Sequence, residues 1–215
     1  MSLTLPAARV AVKICGLTNR EDALAAIEAG ADFLGFNTWP GSKRFLDLEA
    51  NAAWLATLPP RRVALLVNAS LEEAQCIAEL PYIDALQLHG DEDAAYCATA
   101  ASFGKPTIKA LRVSAPADFA GAGDFATPHV LLDAQVAGAF GGTGVRVHTE
   151  LVREFKATHP QLLLWLAGGL RPENVAEAIY ETRPRVVDVS SGVERTPGVK
   201  DFAKMQAFCA AARSS

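Results

Sequence analysis

The chain has 215 residues, 50% of them hydrophobic and 20% charged, with a formal net charge of −4 at pH 7. That length supports one sizeable core, and the balance is that of a soluble globular protein. A mildly negative charge gives no electrostatic reason to expect nucleic acid or an anionic membrane as partner, and no apolar run reaches the roughly 18 residues a membrane span needs.

In chain order, the N-terminal "MSLTLPAAR" lacks the basic and apolar regions of a secretory signal, so a cytoplasmic location is expected. The first strand is "RVAVKI" (9–14), followed by a helix that Thr18 and Glu21 mark with a capping-box pattern. "DFLGF" (32–36) is the second strand and leads into a long loop, "NTWPGSKRF" (37–45). "RVALLV" (62–67) is the third, and Ser70 with Glu73 announces the next helix. Strands follow at "DALQLH" (84–89), "TIKAL" (107–111), "HVLLD" (129–133), "LLLWLA" (162–167) and "VVDVS" (186–190). Pro172 falls where a first-turn proline is tolerated, ahead of "ENVAEAI". In the last helix Phe202, Met205, Phe208 and Cys209 form an apolar stripe.

Eight strand–helix units at about 20–30-residue spacing predict a single (β/α)8 TIM barrel over 1–215, with residues 1–8 and 213–215 as loose termini. A doubly wound open sheet would usually carry a Gly-rich first turn, and "CGLT" has no GxGxxG. The four cysteines and four histidines are scattered without zinc spacing or a CxxC, so neither a metal site nor a disulfide framework is expected.

Strand alternation decides which side chains meet the barrel axis. With Val10, Val12 and Ile14 against the helices, Ala11, Lys13 and Cys15 point inward. The same parity turns Gln87, His89, Leu131, Asp133, Asp188 and Ser190 inward. Barrel interiors are normally apolar and their active sites lie at the C-terminal strand ends, so this polar convergence predicts a functional site there. Lys13 and Asp188, on neighbouring first and eighth strands, are expected to form an internal ion pair.

Three glycine- or serine-rich loops follow late strands: "GAFGGTGVR" (138–146), "AGGLRPEN" (167–174) and "SSGVERTPG" (190–198). Such loops cradle phosphate with backbone N–H groups, which makes Gly142, Gly168, Gly169, Ser191 and Gly192 candidate phosphate ligands. The loop after the second strand carries Lys43 and Arg44 beside Trp39 and Phe45; it is either a loose, solvated surface loop or a cation flanked by aromatics that could hold an aromatic carboxylate.

The motifs "VKICGLTNREDALAAIEAGAD", "QLHGDE", "GGTG", "LAGGLRPENVAEAI" and "VDVSSGVERTPGVKD" together resemble the N-(5'-phosphoribosyl)anthranilate isomerase family from about residue 10 to 209. The resemblance implies a cofactor-free Amadori rearrangement in tryptophan biosynthesis, acting on a phosphorylated small molecule. It implies Cys15 as general base and Asp133 as general acid, with Arg44 binding the anthranilate carboxylate and His89 and Asp188 contacting substrate. Lys13 is the cation expected to support a Cys15 thiolate, and a monomer or homodimer is expected. Two segments depart from the family pattern: "TWPGSKRF" replaces a "FYPKSPRY"-like stretch, and "VRVHTEL" (145–151) follows GGTG. The related histidine-pathway isomerase carries aspartate where Cys15 stands and has a half-chain repeat that this sequence lacks. A redox-sensing role for Cys15 would require a resolving cysteine nearby.

Overall fold

The computed structural model describes residues 3–59, 61–134 and 148–214. Eight parallel strands close on themselves: β1 (Ala11–Cys15), β2 (Phe33–Asn37), β3 (Arg62–Leu66), β4 (Ala85–Leu88), β5 (Thr107–Val113), β6 (His129–Ala134), β7 (Leu163–Leu166) and β8 (Val186–Val189). Each strand read from the sequence is present within a residue or two of its expected bounds. Helices α1 (Arg20–Ala29), α2 (Ala52–Leu55), α3 (Leu71–Glu79), α4 (Ala94–Ala101), α5 (Thr149–Thr158), α6 (Val175–Thr182) and α7 (Phe202–Arg213) surround the barrel. Among the described residues no helix is long and apolar enough to cross a membrane.

The alternation holds. Val12, Ile14, Leu86, Val130, Leu132, Val187 and Val189 pack in the layer between strands and helices. Ala11, Phe33, Val63, Ala85, Ile108, Leu131, Trp165 and Val186 fill the lower barrel, with the Phe33 and Trp165 rings 5.1 Å apart. Met205, Phe208 and Cys209 of the last helix are buried as expected, while Phe202 stays 37% exposed.

Several local expectations are corrected. Asn19 caps α1, its side chain accepting from Asp22 N at 2.7 Å, whereas the Thr18 hydroxyl donates to Gly198 O at 2.6 Å. Ser70 does cap α3, accepting from Glu73 N. Pro172 precedes α6 by a turn, because Asn174 Oδ1 takes the Arg171 N–H and holds that turn outside the helix. The connection after β5 forms two short 3₁₀ turns, Pro116–Phe119 and Ala122–Asp124. Pro116, Gly121 and Gly123 deny that stretch a continuous helix.

The first described residues touch the lower barrel. Leu3 is buried against the lower-barrel cluster, with Leu5 beside it, a burial that contributes about 1.5–3 kcal/mol for such a side chain. At the other end Arg213 donates to Gly30 O at 2.5 Å and fastens α7 to α1.

One feature of the upper rim has no counterpart in the predicted elements. Between β8 and α7 the chain makes an antiparallel hairpin, β9 (Glu194–Thr196) and β10 (Val199–Lys200). It folds back over the ends of β1 and β8.

Candidate active site

The site begins with the register of β1 and β8, which sets Lys13 beside Asp188. Their side chains meet at 3.0 Å, with Lys13 wholly buried. Burial pulls the Lys13 ammonium down, but Asp188 and then Cys15 outweigh it and leave the group above its ordinary pKa. Lys13 is therefore a fixed positive charge inside the barrel, and Asp188 is its counter-ion.

Cys15 ends the same strand and is 6% exposed. Its neighbour in the β2 register is Gly35. A Cβ at position 35 would stand 2.7 Å from Cys15 Sγ and 3.0 Å from Lys13 Nζ, so the thiol and the ammonium share the space that a side chain would take. Gly16, at φ +74°, turns the chain immediately beyond, and a Cβ there would meet Arg44 Cδ at 2.5 Å. Burial pushes the Cys15 thiol up; Lys13 and Lys200 pull it down without fully compensating, and Asp188 adds to the rise. The resting group is the neutral thiol.

Across the barrel, β4 and β6 supply a second polar chain. Gln87 Nε2 donates to His89 Nδ1 at 2.8 Å. A ring nitrogen that accepts leaves the imidazole hydrogen on the other one, so Nε2 carries it and faces Asp133 Oδ2 at 3.5 Å. That separation is too long for a full hydrogen bond. His89 Nε2 is buried with no hydrogen-bond partner among the described residues, a deficit of about 1–3 kcal/mol that a ligand oxygen would relieve. Asp133, 4% exposed, accepts from Ala134 N at 2.9 Å through its other oxygen.

The loop after β2 is folded rather than loose. Asn37 Oδ1 accepts from Trp39 N, and Ser42 Oγ joins Asn37 Nδ2 at 3.1 Å to Arg44 N at 3.0 Å. Trp39 packs against the small apolar cluster that Cys15 forms with Leu65 and Val67. Phe45, 41% exposed, turns outward and does not flank the cavity. Arg44 lines it, but its Nε and Nη2 are both held by Glu194, each at 2.8 Å. Hydrogen bonding to Glu194 keeps the guanidinium above its ordinary value.

Several of these side chains border one cavity, open at its mouth, at the C-terminal ends of the strands. Cys15, Arg44, His89, Asp133 and Asp188 line it together with Gly168, Gly169, Ser191 and Gly192 of the loops after β7 and β8. Gly142, and with it the "GAFGGTGVR" loop, lies outside the described residues. Among the described residues no group of three His, Cys, Asp or Glu side chains is placed to hold a metal ion.

Sequence reasoning missed Glu194 and Lys200. Lys200 is 1% exposed, and its ammonium reaches Cys15 O at 2.6 Å, Glu194 Oε1 at 2.9 Å and Ser190 O at 3.2 Å. Burial alone raises the Glu194 carboxyl, but Arg44 and Lys200 outweigh it and hold it below the usual range. The signal was an unexplained charge pair in "VERTPGVKD"; strands of two and three residues are too short to show any period.

Comparison with known proteins points one way. Residues 12–211 match the family model described as N-(5'phosphoribosyl)anthranilate (PRA) isomerase. A protein of that name from Myxococcus xanthus is 45% identical over 213 residues, 95% of this chain and 97% of its own. One from Pseudomonas fluorescens is 47% identical over 208 residues, covering 94% and 97%. The crystal structure of phosphoribosyl anthranilate isomerase from Thermotoga maritima superposes with a TM-score of 0.85 at 39% identity, covering 94% of this chain and 98% of that one. A crystal structure of such an isomerase in complex with reduced 1-(o-carboxyphenylamino)-1-deoxyribulose 5-phosphate gives 0.82 at 38%, with the same coverage.

Proposed function

The chain belongs to the N-(5'-phosphoribosyl)anthranilate isomerase family, and from that premise we propose that Cys15 and Asp133 are the base and the acid of its reaction. That reaction is an isomerisation in tryptophan biosynthesis: phosphoribosylanthranilate, an aminoaldose, becomes 1-(2-carboxyphenylamino)-1-deoxyribulose 5-phosphate.

Opening the ribose ring breaks the C1'–O4' bond, and the departing oxygen takes a proton from Asp133. The electron pair of the anthranilate nitrogen forms the C=N bond of a cationic Schiff base. Its positive charge acidifies the C2' hydrogen, which the Cys15 thiolate removes, leaving an enolamine that tautomerises to the ketose. Each such proton transfer contributes about 10²–10⁴-fold. The cation of the Schiff base adds to Lys13 in favouring thiolate over thiol, which offsets the burial that keeps the resting group neutral and lets the thiol proton pass to solvent at the open cavity before the C2' hydrogen is taken.

The other positions fit the two ends of the substrate. Arg44 has its Nε/Nη2 edge on Glu194, and its remaining N–H groups meet the anthranilate carboxylate. Gly168, Gly169, Ser191 and Gly192, with Gly142, hold the phosphate through backbone N–H groups. The bare Nε2 donor of His89 takes a ribose oxygen, and Asp188 acts by keeping Lys13 charged.

The observation that carries this reading is the convergence of thiol, carboxyl and guanidinium on one cavity bordered by two glycine-rich loops. All three groups come from one chain, so the site is compatible with a monomer or a homodimer. Four free cysteines accord with a reducing cytoplasm. The test is rescue of a tryptophan auxotroph that lacks this isomerase. The wild-type gene restores growth and the Cys15→Ser gene does not; rescue by Cys15→Ser contradicts the role of the thiol.

A further inference from the structure

Glu194 is shared between two cations. Its Oε1 accepts from Arg44 Nε at 2.8 Å, Lys200 Nζ at 2.9 Å and Gly198 N at 3.3 Å, while Oε2 accepts from Arg44 Nη2 at 2.8 Å. Lys200 in turn grips the Cys15 and Ser190 carbonyls, where β1 and β8 end. One continuous chain of charges therefore joins the loop after β2 to the backbone of the base and to the start of the loop after β8. Buried ionic groups are seldom the most stable filling for a site, since well-packed apolar residues serve as well or better. Their value here is geometric. A bidentate clamp on one guanidinium edge fixes the plane of the other.

We infer that Glu194 is a positioning residue for carboxylate recognition: it aims the remaining N–H groups of Arg44 into the cavity, and Lys200 ties that aim to the end of β1 that bears Cys15. The separation between the carboxylate subsite and the base is then set by salt links rather than by the loop backbone. This rests on the assignment of Arg44 to the anthranilate carboxylate, and the experiment separates the two.

Steady-state kinetics are measured for Glu194→Gln, Arg44→Ala and the double variant, each shown by thermal melting to be folded. Gln keeps the shape of Glu but loses the charge-assisted clamp. Glu194→Gln raises KM about tenfold with kcat changed far less. In the Arg44→Ala background the same substitution has no further effect on KM, because Glu194 acts through Arg44. Competitive inhibition by anthranilate weakens in Glu194→Gln, and inhibition by inorganic phosphate does not. Glu194→Asp keeps Lys200 paired but falls one methylene short of Arg44, so it gives the same KM rise and serves if the Gln variant fails to fold. Should Arg44→Ala raise KM while Glu194→Gln leaves it unchanged, the inference is overturned and the carboxylate assignment stands. An additive effect of Glu194→Gln in the Arg44→Ala background also overturns it. An unchanged KM in Arg44→Ala removes the carboxylate assignment itself.

Discussion

Lys13 Nζ lies 3.0 Å from Asp188 Oδ1 between paired residues of β1 and β8, with Lys13 wholly buried and Asp188 reaching the floor of the cavity. Such a pair holds its charges only while both partners are present. Lys13→Met strands a carboxylate in the barrel and destabilises the fold by about 3–5 kcal/mol, the usual cost of breaking a buried pair from one side. Lys13→Met with Asp188→Asn removes both charges and recovers most of that loss. Urea unfolding of the two variants checks this; equal stabilities would mean that the charges are not coupled.

The thiol of Cys15 titrates above an ordinary thiol because burial outweighs the pull of Lys13 and Lys200, with Asp188 adding to the rise. Arg44 is the other charge in its field. Thiolate is the reactive form, so alkylation of Cys15 by iodoacetamide accelerates as pH rises, with a midpoint above the free-thiol value of about 8.5. The rate is read in a Cys76→Ser background, since Cys76 is exposed. Lys13→Met moves the midpoint higher still. A midpoint below the free-thiol value would show that Lys13 and Lys200 outweigh burial.

At the lower end of the barrel, His129 Nδ1 accepts from Trp165 Nε1 at 3.3 Å, and burial takes the imidazole down to about 4. An unfolded histidine titrates near 6.5. Stability from this group is therefore fully present above about pH 6.5 and is lost as pH falls toward 4, on the order of 3 kcal/mol in all. His129→Gln, which keeps an acceptor for Trp165, flattens the fall in stability between pH 7 and pH 4 relative to wild type. Chemical denaturation across that range measures it, and parallel curves would contradict the assignment.

Much of this was legible in the sequence. The eight strands were, because parallel barrel strands are short β-branched runs bounded by turns, and so was the inward parity of Lys13, Cys15, His89, Asp133 and Asp188. What escaped notice depends on tertiary closure. Gly35 reads as an ordinary strand glycine until the register sets it beside Cys15. Glu194 and Lys200 read as solvated charges until the hairpin folds them under the rim. Thr18 and Asn19 both fit an N-cap, and only the partner at Gly198 shows that Thr18 is used elsewhere.

The central claim, that Cys15 takes a proton and Asp133 gives one, is tested most directly by the kcat of purified Cys15→Ser and Asp133→Asn, followed through the loss of phosphoribosylanthranilate fluorescence. Both substitutions are nearly isosteric and should leave the fold intact. A lost general acid or base costs about 10²–10⁴-fold, so each variant turns over at least a hundredfold more slowly than wild type. Turnover within a few-fold of wild type by either variant would contradict the role given to that residue.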